Sequence, residues 1–116
     1  MSIPNDFINY RSTSVFTKES VPKLLLYSYN TKAGVYGKIS VLTGSLKFYG
    51  LKEHRGEAEK EIVINEGESA VSPPQYWHKV ELLTNDTTFK IDFYAQKDSE
   101  IVSQNQSERD EKKIFR

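Results

Sequence analysis

The feature that most constrains this chain is the period of its apolar residues, which is two. In "GKISVLTGSLKFYGL", Ile39, Val41 and Thr43 alternate with Lys38, Ser40 and Leu42. After Gly44-Ser45, Leu46 and Phe48 alternate with Lys47 and Tyr49. Successive side chains of a strand point to opposite faces, so the pattern predicts strand, tight turn, strand. "EIVINEGESAV" repeats it: Ile62 and Ile64 alternate with Val63, and Asn65-Glu66-Gly67 makes the turn before a short strand. "HKVELL" gives a further strand, Asn85-Asp86 breaks the chain, and "TFKIDFYA" puts Phe89, Ile91 and Phe93 on one face. Upstream, "KLLLYSYN" reads as another β-rich run. Turn signals recur about every 8 to 12 residues, the spacing of an antiparallel sandwich or barrel. No stretch before residue 98 has a helical stripe.

A chain of 116 residues is one domain by length and buries enough surface for its own core. Residues 1–97 are expected to form the β domain. After Lys97, "KDSEIVSQNQSERDEKKIFR" turns polar, so residues 98–116 read as a tail or a short helix. As a solvated terminus it needs no partner; as an arm on a neighbouring subunit, Ile101, Val102, Ile114 and Phe115 would anchor it. The absence of cysteine excludes disulfides and thiolate metal sites. Sixteen basic side chains balance sixteen acidic ones, so no overall field draws nucleic acid or an anionic membrane. Leu24 to Leu26 with Tyr27 falls far short of the roughly 20 apolar residues a spanning helix needs. "MSIPNDFINYRS" lacks the basic-then-apolar order of a signal peptide. A soluble cytoplasmic protein is expected.

The chain holds no phosphate-cradling glycine loop, no G-x-G-x-x-G and no nucleophile elbow. Attention falls on "GESAVSPPQYWHKVEL". Pro73 and Pro74 remove two amide donors and fix the backbone at a sheet edge or barrel mouth. Pro73, Tyr76 and Trp77 are the expected walls of a ligand pocket. His78 has the strand parity of Val80 and Leu82, so it should face the interior, where an imidazole needs a hydrogen-bond partner or a metal. His54 lies in "KEHRGEAEK" with Glu57 three residues on. It is either a surface-loop histidine or one donor of a His-x-x-Glu pair. Asp92 interrupts "FKIDFY" on the face opposite Phe89, Ile91 and Phe93; it is a surface carboxylate if that face is wet and a ligand if that face lines a cavity. Glu81 has the parity opposite to His78 and ranks last. A divalent metal held by nitrogen and oxygen donors therefore has His78, His54, Glu57 and Asp92 as candidate ligands, and zinc, nickel or iron would suit them.

The spacing Gly67-x5-Pro73-x4-His78 resembles the second half of the cupin signature, and "SVLTG" resembles the end of the first. "TKAGVYGKIS" has none of the paired histidines or the glutamate that usually precede it. "FINYRSTSVF", "GVYGKISVLTGSLKFYG", "EHRGE" and "INEGESAVSPPQYWHKVELLTNDTTFKIDFY" together resemble the cupin-like TehB/YeaR family over about residues 7 to 95. The resemblance implies an all-β fold, a cupin-like antiparallel β-barrel or double-stranded β-helix (jelly roll), in a bacterial cytoplasmic protein tied to tellurite resistance or to oxidative or nitrosative stress. It implies a ligand role for His78. The methyltransferase domain that accompanies this one in some members is not in the sequence, so methyl transfer is not expected of these residues. Two function classes follow. One is a module binding a metal, a small molecule or an oxyanion, either closed and structural or open and reactive. The other is a non-catalytic interaction or regulatory protein with a vestigial pocket, working as a homodimer or higher oligomer through edge strands and aromatic-rich segments.

Overall fold

The computed structural model describes residues 2–105. Their elements are β1 (Phe7–Ser12), α1 (Lys23–Tyr27), β2 (Tyr36–Thr43), β3 (Ser45–Leu51), β4 (Ala58–Asn65), β5 (Ser69–Ser72), β6 (His78–Leu82) and β7 (Thr88–Gln96). Residues 100–105 are helical. The strands form two antiparallel sheets, ordered β1-β7-β2-β5 and β4-β3-β6. Their facing sides share one core: Ile39, Val41, Phe89 and Ile91 from the first, Leu46, Phe48, Ile64 and Val80 from the second. The period of two is what makes this possible, because each strand gives alternate residues to the space between the sheets.

The expected all-β fold of antiparallel strands is present; of the expected β-barrel or jelly roll, the described strands form two separate open sheets and no closed barrel. Alternation is the same in both architectures, since either one puts every second residue inside, so the pattern alone does not distinguish them. The turn at Gly44 shows how the sheets divide. Strand β2 ends at Thr43 in the first sheet, and β3 begins at Ser45 in the second. Gly44 turns this corner at φ +72°, where a β-carbon would also collide with Thr84 and Thr87. Among the described strands, only β3 and β4 are consecutive in the chain and also paired with each other.

The reading of "KLLLYSYN" as β-rich is also corrected. Lys23–Tyr27 is helical, and only Leu25 of it is buried. Pro22 enters at φ −62°, already suited to a helix start, and leucine is a good helix former. Only Tyr29 pairs, through an isolated bridge to His78. At the other end, Val102 packs with Val35 and Ala95, and Ile101 joins them. Asn105 Nδ2 donates to the Tyr10 carbonyl at 2.7 Å, tying the helical turn to β1. Ile114 and Phe115 lie outside the described residues. Among the described residues, no helix is long and apolar enough to cross a membrane.

Candidate functional site

His78 opens β6, and its side chain faces the core at 2% exposure. The loop before it is a tight turn: Tyr76 N–H donates to the Pro73 carbonyl at 3.4 Å, and Gln75 takes φ 60°. The imidazole stacks on Phe48 at 5.1 Å and meets Tyr29 edge-on at 5.5 Å. Its Nδ1 lies 3.1 Å from the Tyr76 carbonyl and 3.3 Å from Ser72 Oγ. A carbonyl only accepts, so Nδ1 holds the proton and Nε2 the lone pair. Burial pushes the histidine below its ordinary pKa, and the Tyr76 carbonyl partly offsets this. His78 is thus a neutral, packed imidazole.

The other proposed donors lie elsewhere. His54 is exposed and stacks on Trp77, ring centres 4.2 Å apart. Glu57 is exposed and faces Lys52 at 3.6 Å. Asp92 sits on the outer side of its sheet, where Ser12 Oγ donates to it at 2.6 Å and Lys90 approaches to 3.7 Å. Glu81 accepts from the Tyr49 hydroxyl at 2.6 Å on the outer side of the second sheet. Among the described residues, no three histidine, aspartate or glutamate side chains gather as a metal would require. His78, His54, Glu57 and Asp92 therefore do not fit one shared cation. The expected pocket walls are spread as well. The Tyr76 ring lies over Gly50 and its hydroxyl donates to Glu59 at 2.9 Å; burial first, and then Glu59, push this phenol up to about 12. Pro73 begins the turn, and Trp77 is taken up with His54.

A cleft of about 610 Å³ lies between the first sheet, α1 and residues 101–105. Its volume is in the usual range for small-molecule sites, roughly 300 to 1,000 Å³. Phe16, Leu25, Phe93 and Ile101 give it apolar walls, and Tyr10, Arg11, Tyr29 and Lys32 supply polar groups. Tyr29 is fixed from behind, because it exchanges both backbone hydrogen bonds with His78 at 2.8 Å. Burial pushes the Tyr29 phenol up, while the nearby Arg11 charge pulls it down. The same two influences, in the same order, act on Tyr10.

The placement of Arg11 follows from a β-bulge. Asn9 pairs with Tyr94, but the next pair is Arg11 with Phe93, so Tyr10 and Arg11 together oppose one residue. Phe93 faces the cleft, and Arg11 faces it too. Asn9 Nδ2 donates to the Arg11 and Phe93 carbonyls, each at 3.0 Å, and fastens the bulge. An unbroken ladder would have set Arg11 opposite Asp92 on the outer face, a place that Ser12 takes instead. Sequence reasoning missed Arg11 because a bulge leaves no periodic mark in the strand that contains it, and Tyr29 because it pairs only through an isolated bridge outside any strand. The adjacent Tyr10-Arg11, an aromatic beside a cation in "FINYRS", was the one available hint.

The TehB-like domain family matches residues 11–91. The protein YeaR of Escherichia coli K12, itself uncharacterised, is 37% identical over 99 residues, 82% of this chain and 83% of its own length. TehB of Haemophilus influenzae, named a probable S-adenosyl-L-methionine-dependent methyltransferase, is 37% identical over 94 residues. That alignment spans 81% of this chain and 33% of TehB, so the chain corresponds to about a third of that protein. A crystal structure from E. coli K12 superposes with a TM-score of 0.77 at 36% identity, covering 82% of this chain and 96% of the other. The crystal structure of TehB from H. influenzae gives 0.74 at 38% identity, covering 80% and 32%.

Proposed function

The chain belongs to the TehB-like family, and we propose that it serves as a small-ligand-binding module in the handling of tellurite or of oxidative and nitrosative stress. The supporting observation is the 610 Å³ cleft, apolar-walled and edged by Arg11 and Lys32. Among the described residues, no carboxylate pairs with either cation. The strands that cross between the two sheets suit a cupin-like jelly roll. In this reading His78 is a support: it holds Tyr29 in the cleft wall and binds no ligand itself. Where a relative couples the same domain to a methyltransferase, the module's part is recognition, with methyl transfer left to the remainder of that protein.

Nuclear magnetic resonance screening with a small-fragment library tests this. Shifts should cluster on Leu25, Tyr29, Phe93 and Ile101. A library that perturbs none of these four, or that moves only residues around Trp77, would sink the assignment.

A second reading has its own observation. Leu24 and Tyr27 of α1 are 65% and 68% exposed, which a second copy of the chain would cover. Light scattering coupled to size exclusion distinguishes a dimer from a monomer, and Tyr27→Glu should dissociate the dimer.

A further inference from the structure

The cleft's chemistry narrows what it binds. Arg11 is exposed at its edge and has no ion pair among the described residues. The Tyr29 hydroxyl and the Asn30 side chain, in the same lining, make no hydrogen bond to the described residues. Opposite them stand Leu25, Phe93 and Ile101. Among the described residues that line the cleft, none is a carboxylate and two are cations. The bulge adds an independent observation. It turns Arg11 away from Asp92, its natural partner in an unbroken ladder, and Asn9 holds it there with two hydrogen bonds. A charge diverted from an available carboxylate into an apolar cleft is arranged to meet an anion from outside.

We propose that the cleft binds an organic acid with an apolar body, its carboxylate held by the Arg11 guanidinium and the Tyr29 hydroxyl and its body against Leu25, Phe93 and Ile101. This rests on the small-ligand reading of the same cleft and specifies its ligand class. A guanidinium fork matches a carboxylate in two parallel hydrogen bonds, which lysine cannot do. Lys32 adds field without geometry. The apolar walls explain why a bare oxyanion is the poorer occupant: it would lose water along those walls and gain nothing there.

Isothermal titration with four probes tests the proposal: 4-phenylbutyrate, its neutral amide, acetate and tellurite. The acid should bind, the amide roughly tenfold more weakly or worse, and acetate and tellurite more weakly still. Arg11→Gln should erase the preference for acid over amide. Asn9→Ala keeps the charge but loosens the bulge, and should reduce the same preference in part. Lys52→Gln, a charge removed outside the cleft, should leave it unchanged. Equal binding of acid and amide, or an Arg11→Gln variant that still prefers the acid, overturns the anion assignment while the small-ligand reading stands. Acetate or tellurite binding as well as the long acid overturns the apolar body. If all four probes are silent and the fragment screen still marks the cleft, only the organic-acid proposal falls; if both are silent, both fall.

Discussion

Tyr29 and His78 are joined twice, by a pair of 2.8 Å backbone hydrogen bonds and by an edge-to-face ring contact at 5.5 Å. One residue is in the cleft wall and the other is in the core, so the histidine's packing becomes the tyrosine's position. The sequence left His78 as either a packed core histidine or a ligand; its contacts with Phe48, Tyr29 and the Tyr76 carbonyl are those of a packed residue that backs the cleft wall.

His78→Ala should therefore act first on stability. Removing a ring packed against Phe48 and Tyr29 should cost about 2–4 kcal/mol, the range for large-to-small core changes. Urea denaturation measures it. Elemental analysis of the untagged wild-type protein should find no stoichiometric zinc, nickel or iron. A full equivalent of any of them would reinstate the imidazole as a ligand.

The depressed pKa of His78 sets a pH dependence. The unfolded histidine takes up a proton near 6.5, whereas the folded one resists until lower pH. Stability is therefore complete above about 6.5 and falls as pH drops towards the folded value, by at most about 1.4 kcal/mol per pH unit. His78→Gln should remove this component. The check is the difference between wild-type and variant unfolding free energies from pH 7.5 to 5, because the carboxylates common to both cancel.

Gly50→Ala should be costly although Gly50 lies within a strand and is not among the glycines of positive φ. A β-carbon there runs into the Tyr76 ring and hydroxyl. Overpacking of this kind costs roughly 1–3 kcal/mol. In a Tyr76→Ala background the same change should cost much less, and a double-mutant cycle reads the coupling. Additive costs would show that the ring does not set the requirement for glycine.

The Tyr76 phenol should titrate at about 12, burial being the larger cause and the Glu59 hydrogen bond the smaller. Raising the pH through the ordinary 10 leaves this hydroxyl protonated, and its contribution to stability is lost only between 10 and 12. Difference ultraviolet titration against Tyr76→Phe isolates it. Glu59→Gln should move it part of the way back.

Much of this was legible. Phe89, Ile91 and Phe93 face inward as their spacing requires, His78 follows Val80 into the core, and Asp92 takes the outer face its parity assigns. These are local facts, fixed by the two-residue period of a strand. The partners of His78 were not legible, because Phe48 and Tyr29 come from β3 and from the segment after α1. Nor was the helix over Lys23–Tyr27, where three leucines fit a short helix as well as a strand. The cleft escaped altogether: its walls come from both ends of the chain, and its cation depends on a pairing offset that only the neighbouring strand reveals.

That offset makes the electrostatics of the cleft a question of counting. Deleting a single residue, Ser12, would restore an even ladder from Asn9 onward, with Tyr10 opposite Phe93, and swing the guanidinium round to the far side, opposite Asp92. The shortened protein would keep the cation and gain a surface ion pair, yet the hollow would lose its guanidinium and keep Lys32 alone. No point substitution does this, and lineages that differ in length at this strand should differ in what they bind.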